Sequence, residues 1–215
     1  MGYITYEEFY KRTGIKVTVK HNGKMEGMSS LSTDCSSNKY CLERMKNGHS
    51  VCKKCYADRM MSRYKNLQKM TKLNMDSLKE LLDVSDLPTI NSLYFRFEAF
   101  GDLDNEIQFI NYVHICEKNP KTNFALWTKN PWIIDNVFKL GVKKPKNLNI
   151  ILSSVELNKP TESKYDFVDK VFTVYDKDYI MDNDVKINCG GRKCMSCLKC
   201  YKKTNRTYYI NEKIK

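Results

Sequence analysis

Short apolar segments alternate with helix-like segments along the middle of the chain, and this alternation constrains the fold more than any other feature. Aromatic and β-branched content predicts buried strands over residues 92–97, 124–128, 148–153 and 171–175. The remaining periodic segments predict helices over residues 56–69, 76–83, 106–118 and 131–140. Strands separated by helices form parallel sheets with right-handed crossovers, so the sequence predicts an α/β fold. About five or six strands fit, which leaves a partial (β/α) barrel of the TIM type or a doubly wound sheet.

The beginning of the chain is less regular than its middle. A strand is predicted over residues 16–20 and a loop rich in Gly, Met and Ser over residues 23–32. A short last strand is predicted over residues 186–188, directly before a cysteine-rich segment.

Cysteine is unusually frequent, with nine in 215 residues. Eight of them form two clusters, Cys35, Cys41, Cys52 and Cys55 near the start and Cys189, Cys194, Cys197 and Cys200 near the end. Residues 1–20 lack the apolar segment of a secretory signal, and no apolar run reaches the ~18–20 residues of a membrane span. We therefore expect a soluble, cytoplasmic protein, in which clustered cysteines bind metal rather than form disulfides. The isolated Cys116 is expected to pack in the core.

The second cluster, CGGRKCMSCLKC, is the stronger metal signal. Consecutive C-x2-C spacings are typical of iron–sulfur clusters, whereas structural zinc sites usually combine two separated C-x2-C pairs. The spacing favours iron–sulfur and leaves zinc open. The first cluster ends in Cys52-x2-Cys55 just before a predicted helix, and His49 within it is expected to be solvated.

Polar residues follow several of the predicted strands. Because ligands bind at the carboxyl ends of parallel strands, we expect these residues to line a binding site. The candidates for cofactor binding are Arg96, Glu98, Asp102, Thr128, Lys129 and Glu156. No residue is assigned a catalytic role.

The net charge is +12, from 37 Lys and Arg against 25 Asp and Glu. Such an excess favours contact with polyanions. One alternative is therefore a non-catalytic nucleic-acid-binding module whose fold is stabilised by zinc or an iron–sulfur cluster. Its contact surface would be formed by basic residues interleaved with aromatic residues near the carboxyl terminus. Its contact residues would be Lys199, Tyr201, Lys202, Lys203, Arg206, Tyr208 and Tyr209. A further alternative is an electron-transfer or redox-sensing protein in which a cluster changes charge.

The order of the motifs resembles the phage "gene product eighty-eight" family and, more distantly, the phage "gene product thirty-seven/sixty-eight" proteins. The matching motifs are CKKCYA at residues 52–57, FRFEAFGD at 95–102, TK at 128–129 and the last four cysteines. The resemblance covers residues 29–201. It implies a relationship to radical S-adenosylmethionine enzymes and a partial (β/α) barrel.

That resemblance also implies a cofactor. Cys41, Cys52 and Cys55 would hold a [4Fe–4S] cluster whose fourth iron binds S-adenosylmethionine, unless Cys35 fills that position. The two cysteine groups would either share one cluster or hold one cluster per group. The implied function is a radical iron–sulfur protein, oxygen-sensitive and acting on an unidentified small-molecule or macromolecular substrate.

The resulting domain organisation has three parts. Residues 1–34 form an N-terminal segment packed on the barrel, residues 35–188 form the partial barrel, and residues 189–215 form a cluster-binding segment.

Overall fold

The computed structural model describes residues 2–204 and 206–214, and its centre is a six-stranded parallel sheet. The order in the sheet follows the order in the chain, each strand pairing in parallel with the next. The strands are β1 (Ser29–Leu31), β2 (Tyr94–Phe97), β3 (Asn123–Thr128), β4 (Leu148–Ser153), β5 (Lys170–Tyr175) and β6 (Tyr209–Lys213). The predicted α/β class is confirmed. The three-part domain division stays a prediction, and its residues 1, 205 and 215 lie outside the described part of the chain.

Helices connect the strands. They are α1 (Tyr6–Thr13), α2 (Lys39–Lys46), α3 (Tyr56–Arg63), α4 (Lys65–Ser77), α5 (Glu106–Lys118), α6 (Pro131–Lys139), α7 (Lys177–Asp182) and α8 (Cys194–Cys197), with 3-10 turns at Gly23–Met25 and Val51–Lys54. Side chains cap several of them. The Asn105 side chain accepts from the Gln108 backbone at the start of α5, which satisfies one of the free amides there. No helix in the described residues is both long and apolar enough to cross a membrane.

The structure confirms most predicted strands and corrects several other elements. The predicted helix over residues 76–83 is absent, because the Asn111 side chain binds the backbone that would have continued α4. Its amide donates to the carbonyls of Leu78 (3.3 Å) and Glu80 (2.8 Å), and its oxygen accepts from the Leu82 amide (2.9 Å). The predicted helix over residues 56–69 is interrupted at Tyr64, whose backbone is extended.

The ends of the chain also differ from the prediction. β1 lies inside the segment predicted as a loop, and α2 was not predicted. Residues 16–20 contribute only an isolated bridge between Thr18 and Ser30. Residues 186–188 form no strand; instead the Asn188 and Cys189 amides both donate to the carbonyl of Asn211.

The two faces of the sheet are covered differently. One face packs against α5 and α6 in the main core, where residues such as Phe97, Leu126 and Ile150 are fully buried. Burial of each such side chain stabilises the fold by about 1.5–3 kcal/mol. The opposite face carries Ala125 and Ile151 and is covered by the C-terminal cysteine segment, which buries Tyr201 together with Met28. The cysteine segment is therefore part of the packing of the sheet.

Candidate functional site

The carboxyl ends of β1, β2 and β3 meet in a buried polar network. Glu98, directly after β2, accepts four hydrogen bonds. Its Oε1 accepts from the Tyr112 hydroxyl (2.5 Å) and the Gln108 amide (2.7 Å), and its Oε2 accepts from the Thr33 hydroxyl (2.9 Å) and backbone N–H (3.2 Å). Glu98 is 3 % exposed, and this burial raises its pKa to about 8. Its φ of 55° is a left-handed conformation that is strained for a residue other than glycine.

A second buried carboxylate joins β2 to β3. Asp102 accepts from the Thr128 hydroxyl (2.5 Å), the Leu103 amide (2.8 Å) and the Lys129 amide (2.8 Å). Burial raises its pKa as well. The Tyr40 hydroxyl of α2 donates to the Lys129 carbonyl, so the first cysteine loop is held against this edge.

The six predicted cofactor-binding residues divide into three groups, and Glu98 belongs to the first, because the Thr33 hydroxyl donates to both Glu98 and the Asp102 carbonyl. Asp102, Thr128 and Lys129 contact one another, whereas Glu156 is exposed and pairs with Lys159 at 3.1 Å beside a cavity of about 460 Å³. Arg96 points to the opposite face of the sheet, where its guanidinium lies 3.9 Å from the centre of the Trp127 ring. Their role in binding a cofactor, S-adenosylmethionine included, stays a prediction.

The first cysteine group surrounds the start of α3. Cys55 is the N-cap of this helix. The buried Cys35 thiol donates to the Met61 sulfur (3.5 Å) and packs in one small cluster with Cys55. The neighbouring Cys35 thiol, and then the backbone N–H groups of Asp58 and Ala57, lower the pKa of Cys55. The neighbouring Cys55 and burial raise the pKa of Cys35. Cys41 lies in α2 and Cys52 in the 3-10 turn.

The second cysteine group lies on the face of the sheet that is opposite to α5 and α6. Cys194 and Cys200 pack in its apolar cluster, and burial raises the pKa of Cys200 to about 12. Cys189 instead accepts a 3.1 Å hydrogen bond from Lys24, whose ammonium also pairs with Glu212 at 2.6 Å.

This geometry corrects the predicted function. All nine cysteines are free thiols, and among the described residues no three His, Cys, Asp or Glu side chains come together in a way that could hold a metal ion. Two of the thiols have other hydrogen-bond partners: Cys35 donates to the Met61 sulfur, and Cys189 accepts from the Lys24 ammonium. The proposed [4Fe–4S] radical function is therefore wrong, and no observation favours the metal-stapled nucleic-acid module or the cluster-based electron-transfer protein. The assignment of Cys41, Cys52, Cys55, Cys189, Cys194, Cys197 and Cys200 as ligands is not tested by their positions.

Several site residues were not found from the sequence. Thr33, Gln108, Tyr112 and Asn38 hold the buried carboxylate network together; the Asn38 amide, for example, donates to the Asp102 carbonyl at 3.1 Å. Gln108 and Tyr112 lie four residues apart on one face of α5, and this spacing was the available signal.

A protein-family model described as Gene product 88 matches residues 10–210. The match includes both cysteine groups and confirms the predicted resemblance to this phage family. Searches of curated proteins and of solved structures found no match. The relationship to radical S-adenosylmethionine enzymes has no support in these comparisons.

Proposed function

The chain belongs to the gene product 88 family, and we propose that it carries out thiol–disulfide exchange at the carboxyl end of its sheet. Cys55 is the attacking thiolate and Cys35 the resolving thiol. The observation that carries this proposal is that Cys55 packs against the buried Cys35 in one small cluster with Met61 at the first turn of α3. The chemistry is that of a dithiol and is distinct from the cluster chemistry corrected above.

The surroundings of Cys55 favour its thiolate. Backbone N–H groups at a helix N-terminus carry partial positive charge, and those of Asp58 and Ala57 lower the pKa of this thiol. The positive charge of Lys129 acts on the same group. Cys55 is only partly buried, whereas Cys35 is 1 % exposed and shielded by Met61, whose sulfur lies 3.5 Å from its own. An accessible attacking thiol and a shielded resolving thiol are the roles that a two-step exchange needs.

The two thiols and the substrate disulfide are sufficient for one round of exchange. The Cys55 thiolate attacks one sulfur of a substrate disulfide, forming a mixed disulfide and releasing one substrate thiolate. Cys35 then loses its proton to that thiolate and attacks the Cys55 sulfur, which forms the Cys35–Cys55 disulfide and releases the second substrate group as a thiolate. The substrate is reduced by two electrons and the protein is oxidised by two. An external dithiol reductant restores the starting state.

We also propose that the sheet curves as a partial (β/α) barrel around the C-terminal cysteine segment. Six parallel strands in chain order are the arrangement of such a barrel. Lys24, which precedes β1, pairs with Glu212 of β6, so the segments at the two edges of the sheet approach each other.

The test is a single-turnover reaction of the reduced chain with a small aromatic disulfide, 5,5′-dithiobis(2-nitrobenzoate), followed by peptide mapping. We expect a fast phase in which Cys55 attacks the reagent and releases a first thionitrobenzoate. A second thionitrobenzoate should follow when Cys35 attacks the mixed disulfide at Cys55. Cys35→Ser should keep the first release and trap the mixed disulfide on Cys55. Cys55→Ser should lose the fast phase.

The matched control is Cys116→Ser, since Cys116 is fully buried in the main core. This variant should react as the parent protein does. A fast phase that persists in Cys55→Ser, or a disulfide that joins Cys55 to a residue other than Cys35, would overturn the proposal.

A further inference from the structure

Arg96 is a partly buried cation without a carboxylate partner among the described residues. Its Nη2 donates to the Glu98 carbonyl at 3.4 Å and its Nη1 to the Met25 sulfur at 3.7 Å, and both contacts are long and weak. Its Nε is inaccessible to solvent and has no partner within the described chain. By contrast the exposed Arg12 forms a 2.9 Å ion pair with Asp86.

Such an arrangement is costly unless an anion completes it. A guanidinium presents five N–H donors in a planar fork, and removing it from water without a counter-charge is unfavourable. The Arg96 guanidinium carbon lies 3.9 Å from the centre of the Trp127 ring, which is a cation–π contact. This contact uses the flat face of the guanidinium and leaves its N–H groups, which lie in the plane, for hydrogen bonds. The neighbouring titratable groups do not supply a negative charge: His21 is a base, and burial raises the pKa of the nearby Cys200 thiol to about 12.

We infer that Arg96, held flat on Trp127, is the binding site for an oxyanion, the carboxylate or phosphate group of a small ligand. The planar fork suits both, because each presents two oxygens at the spacing of two guanidinium N–H groups. Arg96 and Trp127 are each partly exposed beside the C-terminal cysteine segment that covers this face, so solvent reaches part of the pair. The inference does not depend on thiol exchange and is tested without it.

Two probes distinguish the sources of the anion. The reduced chain is titrated with sodium phosphate and, separately, with sodium acetate at pH 7, with ionic strength held constant by sodium chloride. Thermal unfolding and tryptophan fluorescence report binding. We expect saturable stabilisation by at least one probe. Stabilisation by phosphate alone would indicate that the ligand carries a phosphate group. Stabilisation by acetate alone would indicate that it carries a carboxylate.

The variants separate a binding role from a structural one. Arg96→Met keeps an unbranched apolar stem and should weaken binding by about ten- to a hundredfold, as expected for loss of a charge-assisted hydrogen-bonded pair. Arg96→Lys keeps the charge without the fork and should bind with intermediate affinity. Arg63→Met is the matched control, because Arg63 lies 5.7 Å from the centre of the Tyr64 ring on the surface.

The order of stabilities is an independent readout. Without added anion, Arg96→Met should unfold at the same temperature as the parent protein or higher, because it removes an uncompensated charge. With saturating anion the order should reverse. An absence of saturable response to both probes, an equal response in Arg96→Met, or a clear loss of stability of that variant in chloride alone would overturn the inference.

Discussion

Gly101 rests directly on the backbone of Thr33. A Cβ at Gly101 would lie 2.5 Å from the Thr33 carbonyl oxygen and 2.8 Å from its carbonyl carbon, closer than any relaxed contact allows. The loop after β2 is thereby fixed against the segment after β1. Since Asp102 follows Gly101 and Cys35 follows Thr33 by two residues, this contact places the buried carboxylates beside the first cysteine group.

Gly101→Ala is expected to destabilise the fold strongly. Gly101 has a φ of 80°, so alanine costs about 1 kcal/mol in the backbone, and the clash with Thr33 adds more, for roughly 3 kcal/mol in all. Gly141→Ala is the matched control: Gly141 has a φ of 94°, but no described atom lies within 4 Å of its Cβ position. Urea unfolding measures both. Equal losses in the two variants would show that the contact with Thr33 is unimportant.

Glu98 should make stability depend on pH. Its pKa is raised to about 8 from an ordinary value of 4.5, so between these values the folded chain keeps a proton that the unfolded chain has lost. The free energy of unfolding should therefore fall by a few kcal/mol as pH rises through this window, and level off above it. Urea unfolding across the window measures the slope.

Glu98→Gln is the variant that isolates this effect. Glutamine cannot titrate, so the part of the pH dependence that comes from Glu98 should disappear, while the part from Asp102, whose pKa is also raised by burial, should remain. A slope unchanged in Glu98→Gln would assign the pH dependence to other groups.

Asp102→Ala should cost roughly 3 kcal/mol of stability. The substitution leaves the Thr128 hydroxyl and two backbone N–H groups buried without an acceptor. Asp102→Asn keeps one acceptor oxygen and should lose about half as much. Asp104→Ala provides the comparison, because the Asp104 side chain makes no hydrogen bond with the described residues; it should change stability by less than about 0.5 kcal/mol. Equal losses of stability in Asp104→Ala and Asp102→Ala on chemical denaturation would contradict the role of Asp102 as a buried hydrogen-bond acceptor.

The strands were predictable because their signals are local. The β3 and β4 segments are short apolar runs between polar turns, and α5 was predicted with its observed bounds, Glu106–Lys118. β1 lacked that signal, since its residues Ser29 and Ser30 are small and polar; they are buried by neighbours that lie far away in the chain. The end of α4 depended on the Asn111 side chain, which no local pattern reveals.

Only part of the predicted set of cofactor-binding residues comes together in the structure, and their role in binding stays a prediction. Asp102, Thr128 and Lys129 could be placed together because parallel strands end at one edge of a sheet. Spacing along the chain, however, shows only which cysteines are near in sequence. Cys55 contacts Cys35, twenty residues earlier in the printed sequence, and Cys189 contacts Lys24 at the other end of the chain. These long-range partners decide what each thiol does.

Lys24 and Glu212 should be energetically coupled. Their side chains are 29 % and 20 % exposed and form a 2.6 Å ion pair between the segment before β1 and the last strand. A double-mutant cycle with Lys24→Met and Glu212→Gln should give a coupling of about 1 kcal/mol, the upper end for pairs near a surface. The exposed pair of Glu7 and Lys11 within α1, at 2.7 Å, is the control and should show a weaker coupling. Urea unfolding at low and high salt measures both cycles, and the coupling of Lys24 with Glu212 should survive salt better, because partial burial limits screening. Equal couplings that vanish together in salt would show that this ion pair does not hold the two edges of the sheet together.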